Sequence, residues 1–240
     1  MVEACQPLEA LYGHSFSVTI NSPNSSFVRT LSFQACQHSD YLMAAISFQY
    51  NARKLGREEH KEEEKSDRVP LVCEIPEPGD MVAVPAIFDW MERRSTSGLL
   101  LAGTYGPQLL SVAFHLQLSE KIMADITRVV AHQLNEPSVW ETKGRWTHVP
   151  QECLIGVAVD FVEHLTERKQ QMVLARWFSE ILTTDNFDPC QVIVSTLRHP
   201  STRDVQWEFE FFSELLPHTQ KLVGDLIYGS ARRRLNDRFF

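Results

Sequence analysis

The stretch "RVPLVCEIPEPGDMVAVPAIFDWMERR", residues 68 to 94, changes character twice within one short segment. Residues 69 to 73 alternate in the way that is typical of a strand. Two prolines then end strand pairing, because proline has no backbone N–H, and the Gly-Asp at 79 and 80 turns the chain. From residue 81 to residue 93 the apolar residues return at helical spacing. The segment therefore predicts a strand, a loop and an amphipathic helix.

A block of charge precedes this segment. Residues 51 to 68, "NARKLGREEHKEEEKSDR", hold bases and acids in near balance and have almost nothing to bury. This composition predicts a disordered insertion between two structured parts of the chain. A solvated helix with ion pairs between residues four apart is one alternative, and a charged docking surface is another.

The N-terminal part predicts a hairpin followed by a helix. Residues 14 to 22 and 27 to 33 alternate with a period of two, and "NSPNSS" between them supplies turn residues. Residues 34 to 50 then change to helical spacing, with Ser39-Asp40 as a cap or a break inside them.

The rest of the chain is predicted to be mainly helical. Residues 108 to 134 fit two helices with a short corner near residue 118. Residues 205 to 212 alternate as a strand would, but their flanking residues favour a helix, which is the preferred interpretation. The other predicted helices are residues 153 to 165, residues 169 to 182, one that starts at Asp188-Pro189, and residues 217 to 240.

The order of these elements resembles the BTB/POZ fold, and within it the branch that contains elongin C and the S-phase-kinase-associated adaptor of cullin ubiquitin ligases. The likeness covers residues 14 to 134 and is carried by "SFSVTI", "QHSDYLMAAI", the segment 68 to 94 and "QLLSVAFHLQLSEKIMADITRVVAHQL". It implies an α+β protein with a BTB/POZ-like domain, residues 1 to 135, made of a short mixed sheet plus helices. The charged insertion at 51 to 68 interrupts this domain, and an all-α domain similar to a BACK bundle, residues 136 to 240, follows it.

The resemblance implies a protein-binding module that performs no chemistry. In the adaptor branch an Asn-Tyr pair faces the cullin, and the matching positions here are Phe114 and His115, so this chain departs from that pair. The resemblance also implies self-association through residues 34 to 50 in a homodimer, or capture of a second protein by the later helices.

Four further aromatic residues are candidate partner-binding anchors by residue type. Trp140 and Trp146 lie in a turn-rich stretch between the two halves, and Phe239 and Phe240 follow an Arg-rich segment. Structural alternatives remain open, because the two tryptophans also suit the joint between the halves and the Arg-rich segment also suits a plain helix end.

Composition and motifs narrow the classes of function. The net charge of −8 argues against binding to nucleic acid, and no apolar run is long enough to span a membrane. The acidic N-terminus lacks the features of a signal peptide, so we expect the protein in the cytoplasm, the nucleus or both. The 5 cysteines are scattered, which argues against a disulfide framework and a zinc module.

No motif of a catalytic or metal site is present. HExxH, GxSxG and a phosphate-binding loop are all absent, and His164, one turn from Asp160, suits a surface histidine better than a ligand. Cys153 at the start of a predicted helix is a candidate for a lowered pKa, although a buried structural thiol is the preferred interpretation. We therefore expect no metal and no cofactor.

These observations favour a non-enzymatic adaptor that holds other proteins, with a cullin-like protein or the subunits of a complex as partners. A scaffold subunit of a nuclear or chromatin-associated complex without a cullin is one alternative. An enzyme with an unrecognised cysteine or acid–base site is the other.

Overall fold

The computed structural model describes residues 15–22, 25–59, 71–74, 83–93, 106–136, 146, 149–165, 168–181, 189–202, 204–215 and 220. The chain divides into two compact units, Met1–Asp125 (the first unit) and Ile126–Phe240 (the second unit), and the division falls inside the helix Glu120–Gln133. The described residues are mostly helical and include one small sheet, so the α+β class is confirmed.

The sheet has three strands in the order β2-β1-β3. Strands β1 (Ser15–Ser22) and β2 (Ser25–Ser32) form the predicted antiparallel hairpin, and β3 (Leu71–Glu74) pairs with β1 in parallel. The buried side chains of β1 are every second residue, Phe16, Val18 and Ile20, as the period of two predicts. One face of the sheet therefore belongs to the core of the first unit.

The helices of this part of the chain are α1 (Phe33–Cys36), α2 (Asp40–Glu59), α3 (Ala83–Arg93), α4 (Gly106–His115) and α5 (Glu120–Gln133). The predicted corner near residue 118 is confirmed between α4 and α5. The prediction of a disordered insertion from residue 51 onward is wrong for residues 51 to 59, which continue α2. Once the buried half of a helix has formed, each further helix-forming residue adds a hydrogen bond without a new nucleation cost. Residues 60 to 68 lie outside the described residues.

Helix α3 packs on the hairpin through an apolar stripe and two polar contacts. Its buried residues include Phe88, whose ring centroid lies 6.1 Å from that of Phe27. Arg29 forms an ion pair with Asp89. The backbone N–H of Ser32 and its hydroxyl, at 3.1 Å, both donate to the carboxylate of Glu92. These contacts set the position of α3 along strand β2.

Ser39 joins the start of α2 to the end of α4, and its side chain is fully buried. Its Oγ accepts a hydrogen bond from the N–H of Leu42 at 3.0 Å, which caps α2, and donates to the carbonyl of Leu116 at 2.6 Å. Backbone bonds on either side, Asp40 N–H to the Gln117 carbonyl and Ser119 N–H to the His38 carbonyl, complete a short antiparallel bridge. The predicted cap or break at Ser39-Asp40 is confirmed.

The end of α4 is closed by a left-handed residue that is not glycine. Gln117 has a φ of 49°, and its N–H donates to the carbonyl of Phe114 at 2.9 Å. The N–H of Leu118 donates to the carbonyl of Ala113 at 3.1 Å. This pair of bonds is the Schellman arrangement, which satisfies carbonyls that a helix end would otherwise leave without partners.

The second unit adds four helices and a short 3-10 turn among the described residues: α6 (Gln151–Glu163), α7 (Arg168–Ile181), α8 (Pro189–Arg198), Pro200–Thr202 and α9 (Phe209–Glu214). The helices predicted at 153 to 165, 169 to 182 and from residue 188 are confirmed. The helix predicted at 217 to 240 lies outside the described residues except for Gln220.

The ambiguous segment 205 to 212 is divided, with helix beginning only at Phe209. The side-chain amide of Gln171 explains the division. Its Nε2 donates to the carbonyl of Gln206 at 2.9 Å, and its Oε1 accepts from the N–H of Glu208 at 3.0 Å. The preference for a helix is therefore correct for the second half of the segment alone.

We expect Ser39→Ala to lower the free energy of unfolding by about 1 to 3 kcal/mol, because it removes a helix cap and leaves the buried Leu116 carbonyl without a partner. Urea unfolding followed by circular dichroism measures this loss. The matched control is Ser47→Ala, since the Ser47 hydroxyl donates at 2.8 Å to a carbonyl of its own helix, that of Met43. The control should cost less than about 0.5 kcal/mol, and equal losses would contradict the role given to Ser39.

Candidate protein-binding surface

Phe114 and His115 form the last turn of α4, and the structure gives them different environments. The side chain of Phe114 is 50% exposed. His115 is half-buried, and its ring centroid lies 5.5 Å from that of Tyr41 on α2. The Tyr41 ring therefore orients His115, whereas Phe114 keeps apolar surface in contact with water.

Phe48 on α2 is a second exposed aromatic residue, which the sequence analysis missed. It is 75% exposed and lies seven residues, or two helical turns, after Tyr41. Leu42 and Ile46 on the same helix are buried, so α2 is anchored by one face and presents Phe48 from another. The sequence signal that could have identified Phe48 is its position two helical turns after Tyr41.

We call Tyr41, Phe48, Phe114 and His115 the aromatic surface. The large hydrophobic side chains that are exposed among the described residues are two valines on the sheet, Val28 and Val72, and two phenylalanines, both in this surface. Single exposed apolar residues are common in proteins. Phe48 and Phe114 lie on two helices that meet at the Tyr41–His115 ring contact, and burying each phenylalanine against a partner would contribute about 1.5 to 3 kcal/mol.

The helices that carry this surface are held together independently of any partner. The Tyr41–His115 ring contact joins α2 to α4, and the Ser39 hydroxyl joins the start of α2 to the chain just after α4. A surface whose backbone is fixed in advance loses little conformational entropy on binding. The arrangement suits recognition of another protein.

The other predicted anchors are either buried or outside the described residues. Trp146 is 2% exposed and meets the ring of Trp177 edge-on, with centroids 5.3 Å apart, inside the second unit. A partner cannot reach its ring while this packing is intact, so the structure assigns Trp146 to the core of that unit. Trp140, Phe239 and Phe240 lie outside the described residues and stay predictions.

Cys153 does not have the properties of a nucleophile. Burial, with a smaller contribution from the charge of Glu152, raises the pKa of the Cys153 thiol to about 12. Desolvation of the thiolate outweighs any lowering by the start of α6. The preferred interpretation of Cys153 as a buried structural thiol agrees with this environment.

Neither a group of metal ligands nor a membrane-spanning helix is present within the described part of the chain. No three or more His, Cys, Asp or Glu side chains there are grouped so that they could hold a metal ion. In the same residues no helix combines the length and the apolar character that crossing a membrane requires.

Comparison with protein-family models, with curated proteins and with solved structures found no match for this chain. The resemblance to the BTB/POZ fold therefore stays a prediction from the sequence.

We expect native Cys153 to react with iodoacetamide at pH 8 far more slowly than in the urea-unfolded chain. With a pKa of about 12 instead of 9.0, its thiolate fraction falls roughly thousandfold. Peptide mapping by mass spectrometry measures the rate for each cysteine. Comparable rates for Cys153 in the folded and unfolded chains would contradict the structural role.

Proposed function

We propose that this protein is a non-enzymatic adaptor whose BTB/POZ-like first unit binds another protein through the aromatic surface. The observation that carries the proposal is the exposure of Phe48 and Phe114 on α2 and α4. A cullin-like protein is the proposed partner, because Phe114 and His115 match the positions that face the cullin in the adaptor branch. The proposed location is the cytoplasm, the nucleus or both.

The order of elements in the first unit supports this proposal. A hairpin is followed by a short helix and a long one, a parallel third strand, another helix and a helix pair. Apart from the division of the first helix into two, this is the order on which the resemblance rests. Helical bundles are common, so the similarity of the second unit to a BACK bundle adds less support.

The proposed mechanism is surface complementarity. Phe48 and Phe114 would enter apolar recesses of the partner, and exposed polar residues such as Gln37, Asp40 and Gln117 would form the rim. His115, whose ring is held against Tyr41, positions the helix end that carries Phe114.

A second candidate function is a scaffold subunit of a nuclear or chromatin-associated complex that contains no cullin. The observation that favours it is the residue pair itself, since Phe114-His115 replaces the Asn-Tyr pair of the adaptor branch. In this case the same surface binds another subunit of the complex. A homodimer through residues 34 to 50, which include Tyr41 and Phe48, would use part of the surface for a second copy.

We expect Phe114→Ala to weaken binding to the main partner at least tenfold, because truncating a central aromatic anchor costs about 2 kcal/mol or more. The tagged protein is purified from its own cells, and proteins that co-elute in near-stoichiometric amount are quantified by mass spectrometry. Thermal unfolding should change little, since the Phe114 side chain is half exposed.

The matched control is Val28→Ala, which shortens an apolar side chain that is 61% exposed on the sheet of the same unit. A cullin that co-elutes with the wild type and with the Val28 variant, but not with the Phe114 variant, supports the adaptor. A stable set of proteins without a cullin supports the scaffold. If nothing co-elutes, or if the Phe114 variant retains every partner, the proposed role of the aromatic surface is wrong.

A further inference from the structure

A cavity of about 370 Å³ lies in the second unit, with walls from α5, α6 and the start of α7. Helices α5 and α6 come close where Gly156 faces Thr127, since a Cβ at Gly156 would lie 3.3 Å from Cγ2 of Thr127. The cavity lies about one helical turn beyond this contact. There Ala131 on α5 and Phe161 on α6 line it. Because Gly156 has no side chain, α5 and α6 can approach each other closely at this point. The cavity forms beside this contact.

The floor of the cavity is apolar. Ala131 is 2% exposed and Phe161 is 4% exposed, so an apolar group that enters the cavity meets packed hydrocarbon. Ligand pockets commonly measure about 300 to 1,000 Å³, which puts this cavity at the lower end of the range. Its size suits one large side chain rather than a molecule the size of a dinucleotide.

The rim of the cavity is polar, and its described residues include one arginine, one aspartate and two histidines. Arg128 and His132 are four residues apart on α5, and Asp160 and His164 are four apart at the end of α6. Asp160 is the single acidic residue among the lining residues that the structure describes. With both histidines neutral, the charges of Arg128 and Asp160 balance, and the Arg128 guanidinium is the group of the described rim that attracts a carboxylate.

The hydrogen bond that His164 already makes determines which of its ring nitrogens can accept another one. Its Nδ1 lies 2.7 Å from the backbone carbonyl oxygen of Asp160. A carbonyl oxygen only accepts hydrogen bonds, so Nδ1 carries the hydrogen and Nε2 of the neutral ring has the lone pair. The rim thus combines a guanidinium that binds carboxylates with an imidazole nitrogen that accepts from an N–H.

We infer that this cavity binds a peptide segment of a partner protein in which a large apolar side chain stands next to an acidic residue. The apolar side chain lies on Phe161, and the neighbouring carboxylate contacts Arg128. A peptide backbone supplies an N–H that can donate a hydrogen bond to Nε2 of His164, and for this reason we assign a peptide rather than a free small carboxylate. The site belongs to the second unit and does not depend on the partner proposed for the aromatic surface.

The test is a titration of the whole isotope-labelled chain, followed by two-dimensional amide NMR. The probes are N-acetylated dipeptide amides with the sequences Phe-Asp, Phe-Asn and Ala-Asp, and phenylacetate. We expect saturable shifts on α5 and α6 with Phe-Asp at about millimolar Kd, as befits a fragment. Phe-Asn should bind about two- to fivefold more weakly because it lacks the charge contact, and Ala-Asp at least about threefold more weakly because it lacks the apolar side chain.

Variants then assign the carboxylate contact. We expect Arg128→Gln to weaken Phe-Asp about two- to fivefold and to remove its advantage over Phe-Asn. The matched control is Arg176→Gln on α7, whose side chain is 60% exposed and which is not among the lining residues that the structure describes. This control should leave the affinities for all four probes unchanged. Both arginines are exposed, so we expect both variants to fold.

Four results would overturn the inference, and three of them concern the dipeptides and the variants. They are the absence of saturable binding of Phe-Asp to the wild type, equal affinity for Phe-Asp and Phe-Asn, and equal weakening by the Arg128 and Arg176 substitutions. Tighter binding of phenylacetate than of Phe-Asp would show that the site takes a small carboxylate and would reject the peptide.

Discussion

The helical part of the first unit depends on the two hydrogen bonds that the Ser39 hydroxyl makes. In a dry interior a hydroxyl must use both its donor and its acceptor function, and Ser39 does so toward the ends of two different helices. If α2 slid along α4, at least one buried polar group would lose its partner. Phe48 and Phe114 project from these two helices, so the same constraint fixes the backbone beneath the aromatic surface.

Apolar burial holds α3 on the sheet, and the polar contacts orient it. Arg29 and Asp89 keep 24% and 38% of their side chains exposed, so water screens their attraction and the pair contributes about 0 to 1 kcal/mol. Ile87 and Phe88 are fully buried, and each contributes about 1.5 to 3 kcal/mol. The ion pair and the Ser32–Glu92 bonds instead select one alignment of α3 among those that would bury the same stripe.

Local periodicity predicted most elements, and features that depend on distant residues escaped it. The alternation in β1 and the helical spacing of α3 are properties of neighbouring residues, and both were visible in the sequence. The left-handed Gln117 was not, because its conformation is imposed by the bridge to residues 38 to 40 and no glycine marks it. The cavity was not visible either, since Arg128 and Asp160 come together only through the packing of α5 on α6. Of the candidate site, the sequence indicated Phe114 and His115 but not Phe48.

The parallel pairing of β3 with β1 has a consequence for how the chain tolerates change in length. The two strands are joined through β2, α1, α2 and residues 60 to 70, so the sheet closes a long loop rather than a tight turn. The entropy of closing such a loop rises only with the logarithm of its length, and a doubling costs about 0.6 kcal/mol. Insertions or deletions between α2 and β3 should therefore accumulate during evolution with little effect on the fold. The connection between β1 and β2 should keep its length, because Ser22 pairs with Ser25 across it.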